Sequence, residues 1–386
     1  MEIEGEKRLI RDTPTTSWSD LPLDLVILVF QRLSFANFQR AKSVCSSWYS
    51  ASRQSVPKNN QIHWLILFPK EDNKDNNYSC TLFNPDEKDK HYKTQDLGVE
   101  FANRRYKVAT YGSWLLIRDT LKEMYLVNLF TNERINLPPV KLLREDYELH
   151  TTSREKKWHN GRIRSVLSPV FWIDEDTKDY VVIWGFGMWC VVYAKKGDTS
   201  WNKIPDISQC YHMVYRDHKL YFLNFNDVFK IFDLSGEIPQ LTFQWMVSRN
   251  KCESVRQPNW EWNSCITRLV VTLTGKVLKV EQMWVMKSST WSFRVLEVYS
   301  PDLQKKQQRR IHYLRDESIL LDQGITVLAN DADGFARNTI YFSDDRQKIM
   351  FTFNLGTQKT EPLHTFDISS FQFSGAQWFL PSFTLT

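Results

Sequence analysis

The chain has 386 residues, long enough to bury a sizeable core and to form two or three domains. Its 50 basic and 45 acidic residues leave a net charge of only +5, which argues against non-specific nucleic-acid binding as the main activity. The apolar and charged fractions are those of an ordinary globular protein. An aromatic share of 14%, including 15 Trp, favours strands over helices.

The cysteines and the N-terminus together indicate the cellular compartment of the protein. Six cysteines are scattered without a Cys-x-x-Cys pair, and the acidic first residues, from Met1 to Glu6, lack the apolar segment of a secretory signal. We therefore expect reduced thiols in a protein of the nucleus and/or cytoplasm. The longest apolar run, residues 181 to 194, contains two glycines and is too short to span a bilayer. It is interpreted as two buried strands.

Helical spacing marks the N-terminal region, after a polar and patternless segment (1–17) that we expect to be a disordered tail. Leu21, Leu25 and Leu28 recur at i, i+4 and i+7, which predicts one apolar helix face. Pro22 suits the first turn of that helix, and Asp24 lies towards the positive end of its dipole. This helical region is predicted over residues 18–56, and a short hinge over 57–61.

A second helix is predicted directly after the first. Ser34 can cap it, and Phe38, Ala41, Cys45 and Trp48 recur along it at helical spacing. Two or three helices of this length bury little apolar surface by themselves. Their uncovered apolar faces are therefore expected to bind a partner.

The residue order of this region resembles the F-box motif. It reads Leu-Pro-x-Asp-Leu, then Val-Phe-x-Arg-Leu, then Phe-Gln-Arg-Ala-Lys-Ser-Val-Cys-x-x-Trp. The resemblance implies docking to the small Skp-type adaptor of a cullin–RING ubiquitin ligase. By matching position it implies a docking face formed or supported by Leu21, Pro22, Leu25, Leu28, Leu33, Val44, Cys45 and Trp48. The alternative is an amphipathic helical cap packed on the chain's own C-terminal domain.

From residue 62 the pattern changes to short strands bounded by turn residues. Five groups of four strands are predicted, over residues 106–137, 170–204, 213–243, 266–313 and 324–363. Four short strands per unit are typical of a β-propeller. Leftover strands near 62–83 and 377–381 can form a composite blade that closes the ring. The prediction is thus a mainly β protein, with a short α-helical F-box followed by a β-propeller over 62–386. Six blades are expected, with five or seven as alternatives.

Four C-terminal stretches resemble plant F-box proteins that carry a KIB-type β-propeller. They begin at Asn128 (Asn-Leu-Phe-Thr-Asn-Glu-Arg-Ile-Asn-Leu-Pro-Pro), Phe171 (Phe-Trp-Ile-Asp), Asn338 (Asn-Thr-Ile-Tyr-Phe-Ser-Asp-Asp) and Trp378 (Trp-Phe-Leu-Pro-Ser). With the F-box included, the resemblance covers nearly the whole chain. It implies recognition of a substrate protein for ubiquitylation, and one class of relatives acts on a protein kinase of hormone signalling. It does not give this chain's own target.

Catalytic and metal-binding patterns are weak. No Gly-x-Ser-x-Gly elbow is present, and the eight histidines are dispersed. His212 and His218 flank a predicted turn at Arg216 and Asp217, where an exposed or capping role is expected. His150 and His159 are too far apart to share a helix face as metal ligands. We therefore expect no enzyme activity of the chain's own, no metal and no cofactor.

Three further motifs have plain structural interpretations. Residues 331–334 resemble part of a calcium loop, but alignment on Gly334 places Ala329 and Ile340 at ligand positions, so a tight turn is expected. Gly185 and Gly187 lie between strands and not ahead of a helix, which argues against a phosphate-binding loop. The basic run 305–310 is interpreted as a solvated loop, with a nuclear-import signal or an acidic-partner contact as alternatives.

These observations predict a substrate-recognition subunit of an SCF-type cullin–RING E3 ubiquitin ligase. Its F-box would bind the Skp-type adaptor, and its propeller would bind an unknown substrate protein. Neither a membrane nor a direct nucleic-acid partner is expected. Two alternatives stay open: a stand-alone propeller binding protein, or a propeller enzyme with a small-molecule site in the central funnel. Exposure of Leu21, Pro22 and Trp48 would count against helices that pack only internally.

Overall fold

The computed structural model describes most of the chain in segments. These are residues 18–33, 35–42, 44–52, 54, 64–69, 78–84, 90–98, 107–118, 123–140, 166–247, 262–285, 289–302, 308–329, 335–344, 349–364 and 373–379. The chain divides into two compact units, Met1–Gln61 with Phe383–Leu385, and Ile62–Ser382 with Thr386. The predicted tail and hinge lie outside the described residues. No helix within the described segments is long and apolar enough to cross a membrane.

The first unit is helical. After a short 3-10 helix at Trp18–Asp20 come α1 (Leu23–Phe30), α2 (Phe35–Lys42) and α3 (Ser46–Ser52). Phe38 and Ala41 lie on α2 while Trp48 lies on α3, so the single second helix predicted from their spacing is in fact two helices. The helical period runs through the break because both helices turn an apolar side to one core. Ser34, the predicted cap, lies outside the described residues.

A small aromatic core holds these helices together. Val26 and Phe30 of α1 pack with Phe38 of α2 and with Trp48 of α3, and all four are buried. The Phe30 ring meets the Phe38 and Trp48 rings edge to face, at centroid distances of 5.0 and 5.7 Å. Edge-to-face pairs of this kind stabilise a core beyond their buried area. The small unit therefore has a defined interior and a separate outer surface.

The second unit consists of β-sheets, as predicted. Its first sheet contains β1 (Trp64–Pro69), β2 (Ser79–Phe83), β3 (His91–Asp96) and the last strand of the chain, β25 (Phe373–Phe379). Its second sheet contains β4 (Lys107–Tyr111), β5 (Trp114–Arg118), β6 (Met124–Asn128) and β7 (Arg134–Asn136). The third contains β8 (Val166–Ile173), β9 (Tyr180–Phe186), β10 (Cys190–Lys195) and β11 (Asn202–Lys203).

The remaining strands form one sheet of four strands and one of nine. The fourth sheet contains β12 (Cys210–Arg216), β13 (Lys219–Asn224), β14 (Val228–Asp233) and β15 (Gln240–Met246). The nine-stranded sheet begins with β16 (Trp262–Val271), β17 (Val277–Val285), β18 (Thr290–Tyr299) and β19 (Arg309–Ile311). It continues with β20 (Glu317–Leu320), β21 (Ile325–Leu328), β22 (Thr339–Asp344), β23 (Ile349–Asn354) and β24 (Lys359–His364).

The nine-stranded sheet consists of two blades. Strands β16 to β19 form an antiparallel blade, and β20 to β24 form the next one. A single parallel pair, Val271 with Ile325, joins the two. Together with the four separate sheets, the described strands therefore form six blades. Six is the blade number expected from the sequence.

The composite first blade confirms the predicted ring closure. Strand β25 lies antiparallel to β1, with Trp64 opposite Phe379 and Phe68 opposite Gly375. The first blade thus combines strands from the two ends of the propeller unit. Such closure covers sheet edges that would otherwise expose unpaired backbone groups.

The innermost strands of neighbouring blades are linked by hydrogen bonds between side chains and backbone. Thr110 Oγ1 of β4 donates to Trp378 O of β25 at 2.8 Å, and Gln323 Nε2, in the turn before β21, donates to the same oxygen at 2.8 Å. Ser168 Oγ accepts the Met213 N–H at 2.7 Å. These bonds join blades that share no continuous strand ladder. They fix the innermost strands around the central axis.

Large aromatic side chains fill the space between blades, which accounts for the high aromatic content. Trp184 of the third blade is buried in one core with Trp114 of the second blade. Trp378 of the first blade packs with Phe335 and Tyr341 of the sixth, at 6.1 Å from each ring. Each aromatic ring buries a large apolar area. Contacts between blades, and not only within them, therefore stabilise the ring.

Two of the described strands were not predicted. β3 reads His-Tyr-Lys-Thr-Gln-Asp and lies at the edge of its sheet, where solvent removes the need for apolar alternation. β20 is short and pairs with two different strands. The turn between β12 and β13 lies one residue later than predicted. It is formed by Asp217 and His218, both with positive φ, and not by Arg216 and Asp217. Residues 331–334, His150 and His159 lie outside the described residues.

Candidate protein-docking site

Helix α1 has two apolar faces, one buried in the core and the other exposed. Val26 and Phe30 are 1% and 0% exposed and form part of the core. Leu25 and Leu28, one turn apart, are 48% and 49% exposed. Two leucines that remain half exposed on one helix face are typical of a surface that binds another protein. Both belong to the docking face implied by the F-box resemblance.

Pro22 sets the start of α1. It adopts φ −53° and ψ 141°, and its carbonyl oxygen accepts the N–H groups of Leu25 and Val26 at 3.0 and 3.1 Å. Proline has no N–H of its own to leave unpaired at this position. Asp24 in the first turn complements the helix dipole. Pro22 is exposed at the surface of the helical unit.

The remaining predicted residues differ in exposure. Val44, just before α3, is 57% exposed, whereas Leu21, Leu33 and Cys45 are half-buried beside the core. Cys45 Sγ lies 3.0 Å from Ser47 Oγ. The pKa of the thiol is lowered by this hydrogen bond and then by the backbone N–H of Trp48. Because Leu21, Leu33 and Cys45 are partly buried, they can pack between the core and the exposed residues of the docking face.

Trp48 lies inside the unit and not on its surface. It is 8% exposed, packs in the aromatic core, and donates its indole N–H to the carbonyl oxygen of Trp18 at 3.0 Å. It can therefore support a docking face but does not form one. Of the three residues whose exposure was to distinguish docking from internal packing, Pro22 is exposed, Leu21 is half-buried and Trp48 is buried.

Among the histidines that the structure describes, His212 has a strongly perturbed pKa. Burial and then the Arg268 charge lower the pKa of His212 to about 3. Its Nδ1 accepts the Leu269 N–H at 3.1 Å, so its lone pair holds β12 to β16. This corrects the exposed or capping role expected for His212; His218 is in the turn itself. The perturbed pKa thus has a structural explanation.

Other candidate chemistry is also accounted for where it is described. Gly185 lies in β9 and Gly187 in the tight turn after it, with φ 55°. From the basic run, Arg309 and Arg310 form part of β19, and Arg309 pairs with Glu297 at 3.2 Å. In the segments that the structure describes, no group of three His, Cys, Asp or Glu could hold a metal ion.

A helical unit with an exposed apolar face, joined to a closed propeller, defines an F-box β-propeller protein. Comparison with known families agrees on both parts. The F-box domain model matches residues 18–60, and the KIB1-4 beta-propeller model matches residues 78–356. The chain belongs to the family of F-box proteins with a KIB1-4 β-propeller. That architecture supports, in general terms, a role like that of an SCF substrate receptor, and an F-box implies binding to a Skp-type adaptor.

Full-length relatives come from a plant. An Arabidopsis thaliana chain named as an F-box protein, At4g22170, is 63% identical over 96% of this chain and 98% of its own length. The probable F-box protein At4g22165 of the same species is 53% identical, over 96% and 98% of the two chains. The Arabidopsis F-box protein At1g69090 is 39% identical over 95% and 92%. The similarity therefore spans both units.

Proposed function

We propose that this chain is the substrate-recognition subunit of an SCF-type cullin–RING E3 ubiquitin ligase. The F-box binds a plant Skp-type adaptor, and the propeller binds the target protein. The observation that carries the proposal is the exposure of Leu25 and Leu28 on a helix whose other face is buried. Burying these side chains against the adaptor would contribute about 25 cal/mol per Å² of apolar surface.

The proposed subunit acts by position and not by its own chemistry. Holding a target beside the ligase raises their effective concentration, so transfer can proceed without a catalytic group on this chain. The catalytic groups then belong to other subunits. The proposed site of action is the nucleus and/or cytoplasm. Reduced thiols at Cys45 and Cys210 fit a reducing compartment.

Co-purification with a plant Skp-type adaptor tests the proposal. The full chain should bind the adaptor, and a Leu25→Glu/Leu28→Glu double variant should lose binding while staying folded. Leu241→Glu is the matched control, because Leu241 is 49% exposed on β15 of the propeller. It should bind like the wild type.

The outcomes separate clearly. Loss of binding in the α1 variant alone supports adaptor docking through this face. A folded wild-type chain that does not bind would overturn the ligase role, and the propeller would then act as a stand-alone binding protein. Equal binding by the wild type and the double variant would place the docking face elsewhere.

A further inference from the structure

Three innermost strands of the propeller, β12, β16 and β21, run in one direction and end on one face. His212 on β12 contacts Leu269 on β16, and further along the same strands Arg216 Nη1 donates to Thr272 O at 3.0 Å. Residue numbers increase in the same direction along both strands, from His212 and Leu269 to Arg216 and Thr272, so β12 and β16 are parallel. Val271 on β16 in turn pairs in parallel with Ile325 on β21. The ends of these strands therefore meet at one mouth of the central axis.

Apolar and aromatic side chains are exposed at this mouth. Tyr111 ends β4, Leu273 follows β16, and Leu328 ends β21; they are 39%, 44% and 56% exposed. Trp172, near the end of β8, is half-buried. We call Tyr111, Trp172, Asp217, Leu273 and Leu328 the axial mouth. These residues are far apart in sequence and are brought to one face by the ring.

Two of the rings are held in place by aromatic contacts. The Trp172 ring meets the imidazole of His218 edge to face at 5.7 Å, and Tyr111 packs against Phe171 at 6.0 Å. The rings are thus positioned before any partner arrives. Preorganised aromatic surfaces bind at lower entropic cost than flexible ones.

Carboxylates surround these rings. The pKa of Tyr111 is raised by burial and then by the negative charges of Asp217 and Glu175. The Asp217 side chain is 85% exposed, and Asp176 is exposed in the adjacent turn between β8 and β9. Negative charge beside aromatic faces favours a cation through both Coulomb attraction and cation–π contact.

The nearest basic groups offset only part of this charge. Arg216 lies 3.3 Å from Asp217, but its guanidinium also donates to backbone carbonyls of β16 and the following residue. Lys178 pairs with Glu133 at 3.3 Å and lies over the Trp114 ring. The exposed Asp176 therefore adds to the negative potential of the mouth.

We propose that the axial mouth docks a basic side chain, arginine or lysine, that is flanked by apolar residues in the substrate protein. The inference rests on the proposed function, because it names the propeller face and the chemistry by which that subunit recognises its target. The cation would lie against Tyr111 and Trp172 beside Asp217. Leu273 and Leu328 would contact its apolar neighbours.

Fluorine NMR on the full chain tests this directly. Tryptophan is replaced biosynthetically by 5-fluorotryptophan, and the Trp172 resonance is assigned with Trp172→Phe. The probe is the acetylated and amidated pentapeptide glycine–leucine–arginine–leucine–glycine. Matched peptides carry lysine, glutamine or glutamate at the centre. The arginine and lysine peptides should shift the Trp172 resonance saturably, and the glutamine peptide should bind about tenfold more weakly.

Two kinds of variant separate the mouth from the rest of the surface. Asp217→Asn should weaken binding of the arginine peptide several-fold without changing that of the glutamine peptide. Asparagine tolerates the positive φ at this position, so the fold is retained. Phe225→Ala and Asp206→Asn are the controls. Phe225 is exposed at the opposite end of β13 from His218, and Asp206 is exposed with φ 56°.

Each outcome bears on one proposal. Equal binding of the arginine and glutamine peptides, no shift at millimolar peptide, or an unchanged affinity in Asp217→Asn would overturn the inference about the mouth. Adaptor binding would be unaffected by any of these results. Conversely, peptide binding at the mouth of a chain that does not bind the adaptor would overturn the ligase role and leave the mouth as a binding site.

Discussion

The indole N–H of Trp48 donates to the carbonyl oxygen of Trp18 at 3.0 Å, and the two rings meet edge to face at 6.5 Å. One ring of the pair is buried, while the other is 70% exposed. The contact fastens the 3-10 helix at the start of the F-box to α3. Trp48 therefore organises the unit from inside, and its contribution to docking is indirect.

Substitution of Trp48 should separate support from contact. Trp48→Phe keeps an aromatic ring in the core but removes the donor to Trp18, so we expect a loss of about 1 kcal/mol in the stability of the unit. Trp48→Ala should cost about 3–5 kcal/mol. Hydrogen exchange of the α1 and α3 amides measures both. If Trp48→Phe keeps the helices protected yet abolishes adaptor binding, Trp48 contacts the adaptor directly and the supporting role is wrong.

A buried charge network should make Glu281 sensitive to neutralisation. Lys279 and Glu281 are 3% and 2% exposed on β17. Lys279 Nζ lies 3.2 Å from Asp227 and 3.3 Å from Glu281, and Arg294 lies opposite Glu281 and donates to it. Glu281→Gln leaves the buried Lys279 and the partly buried Arg294 undercompensated, so a loss of about 3–5 kcal/mol is expected. Denaturant unfolding measures the change.

An exposed ion pair provides the control for that experiment. Asp316 pairs with Arg337 at 3.4 Å, and both side chains are more than half exposed. Asp316→Asn should cost about 1 kcal/mol or less, because water and salt screen such pairs. Similar losses in Glu281→Gln and Asp316→Asn would contradict a buried network.

Gly324 should resist substitution more strongly than another left-handed glycine. Its φ is 68°, and an added Cβ would lie 2.6 Å from Val214 Cγ2 and 2.9 Å from Leu269 O. Gly197 has φ 90° but open space around the same position. Gly197→Ala should cost about 1 kcal/mol from backbone strain, and Gly324→Ala about 1–3 kcal/mol more from the clash. Equal thermal stability of the two variants would argue against the close approach of β12 and β16 at Gly324.

His212 should contribute a pH dependence to stability. Its pKa is lowered to about 3 in the folded chain from an ordinary value of 6.5. Below pH 6.5 the unfolded chain therefore binds a proton that the folded chain does not, and stability falls as the pH drops towards 3. The slope from this group approaches about 1.4 kcal/mol per pH unit. Above pH 6.5 the group contributes no slope.

His212→Gln isolates this term, because a glutamine oxygen can still accept the Leu269 N–H. Thermal unfolding of the wild type and the variant should give curves that converge as the pH falls from 6.5, since only the wild type loses this contribution. Parallel curves between pH 6.5 and 4 would show that His212 is not buried as described.

Sequence patterns predicted the blades well because a strand packed between two neighbours must alternate or remain apolar. Strands β13 and β14 begin and end where the pattern placed them. The edge strand β3 was not predicted, because a strand exposed to solvent needs no apolar alternation. The break between α2 and α3 was not predicted, because both helices face one core and the apolar period continues through Cys45.

The candidate sites were harder to predict for a geometric reason. On α1, Leu25 and Val26 are both apolar, and only packing decides that the first is exposed and the second buried. At the propeller mouth, Tyr111, Trp172 and Asp217 lie on three blades. No local spacing relates them, because their proximity is created by closure of the ring.

The position of β25 has a consequence for synthesis of the chain. The F-box helices leave the ribosome first, but the first blade is complete only when β25 reaches β1. A product that stops before Phe373 would carry the adaptor-docking helices without a closed propeller. In the proposed ligase, such a product would occupy adaptors without delivering a target, so truncation would interfere with the intact receptor as well as abolish its own function.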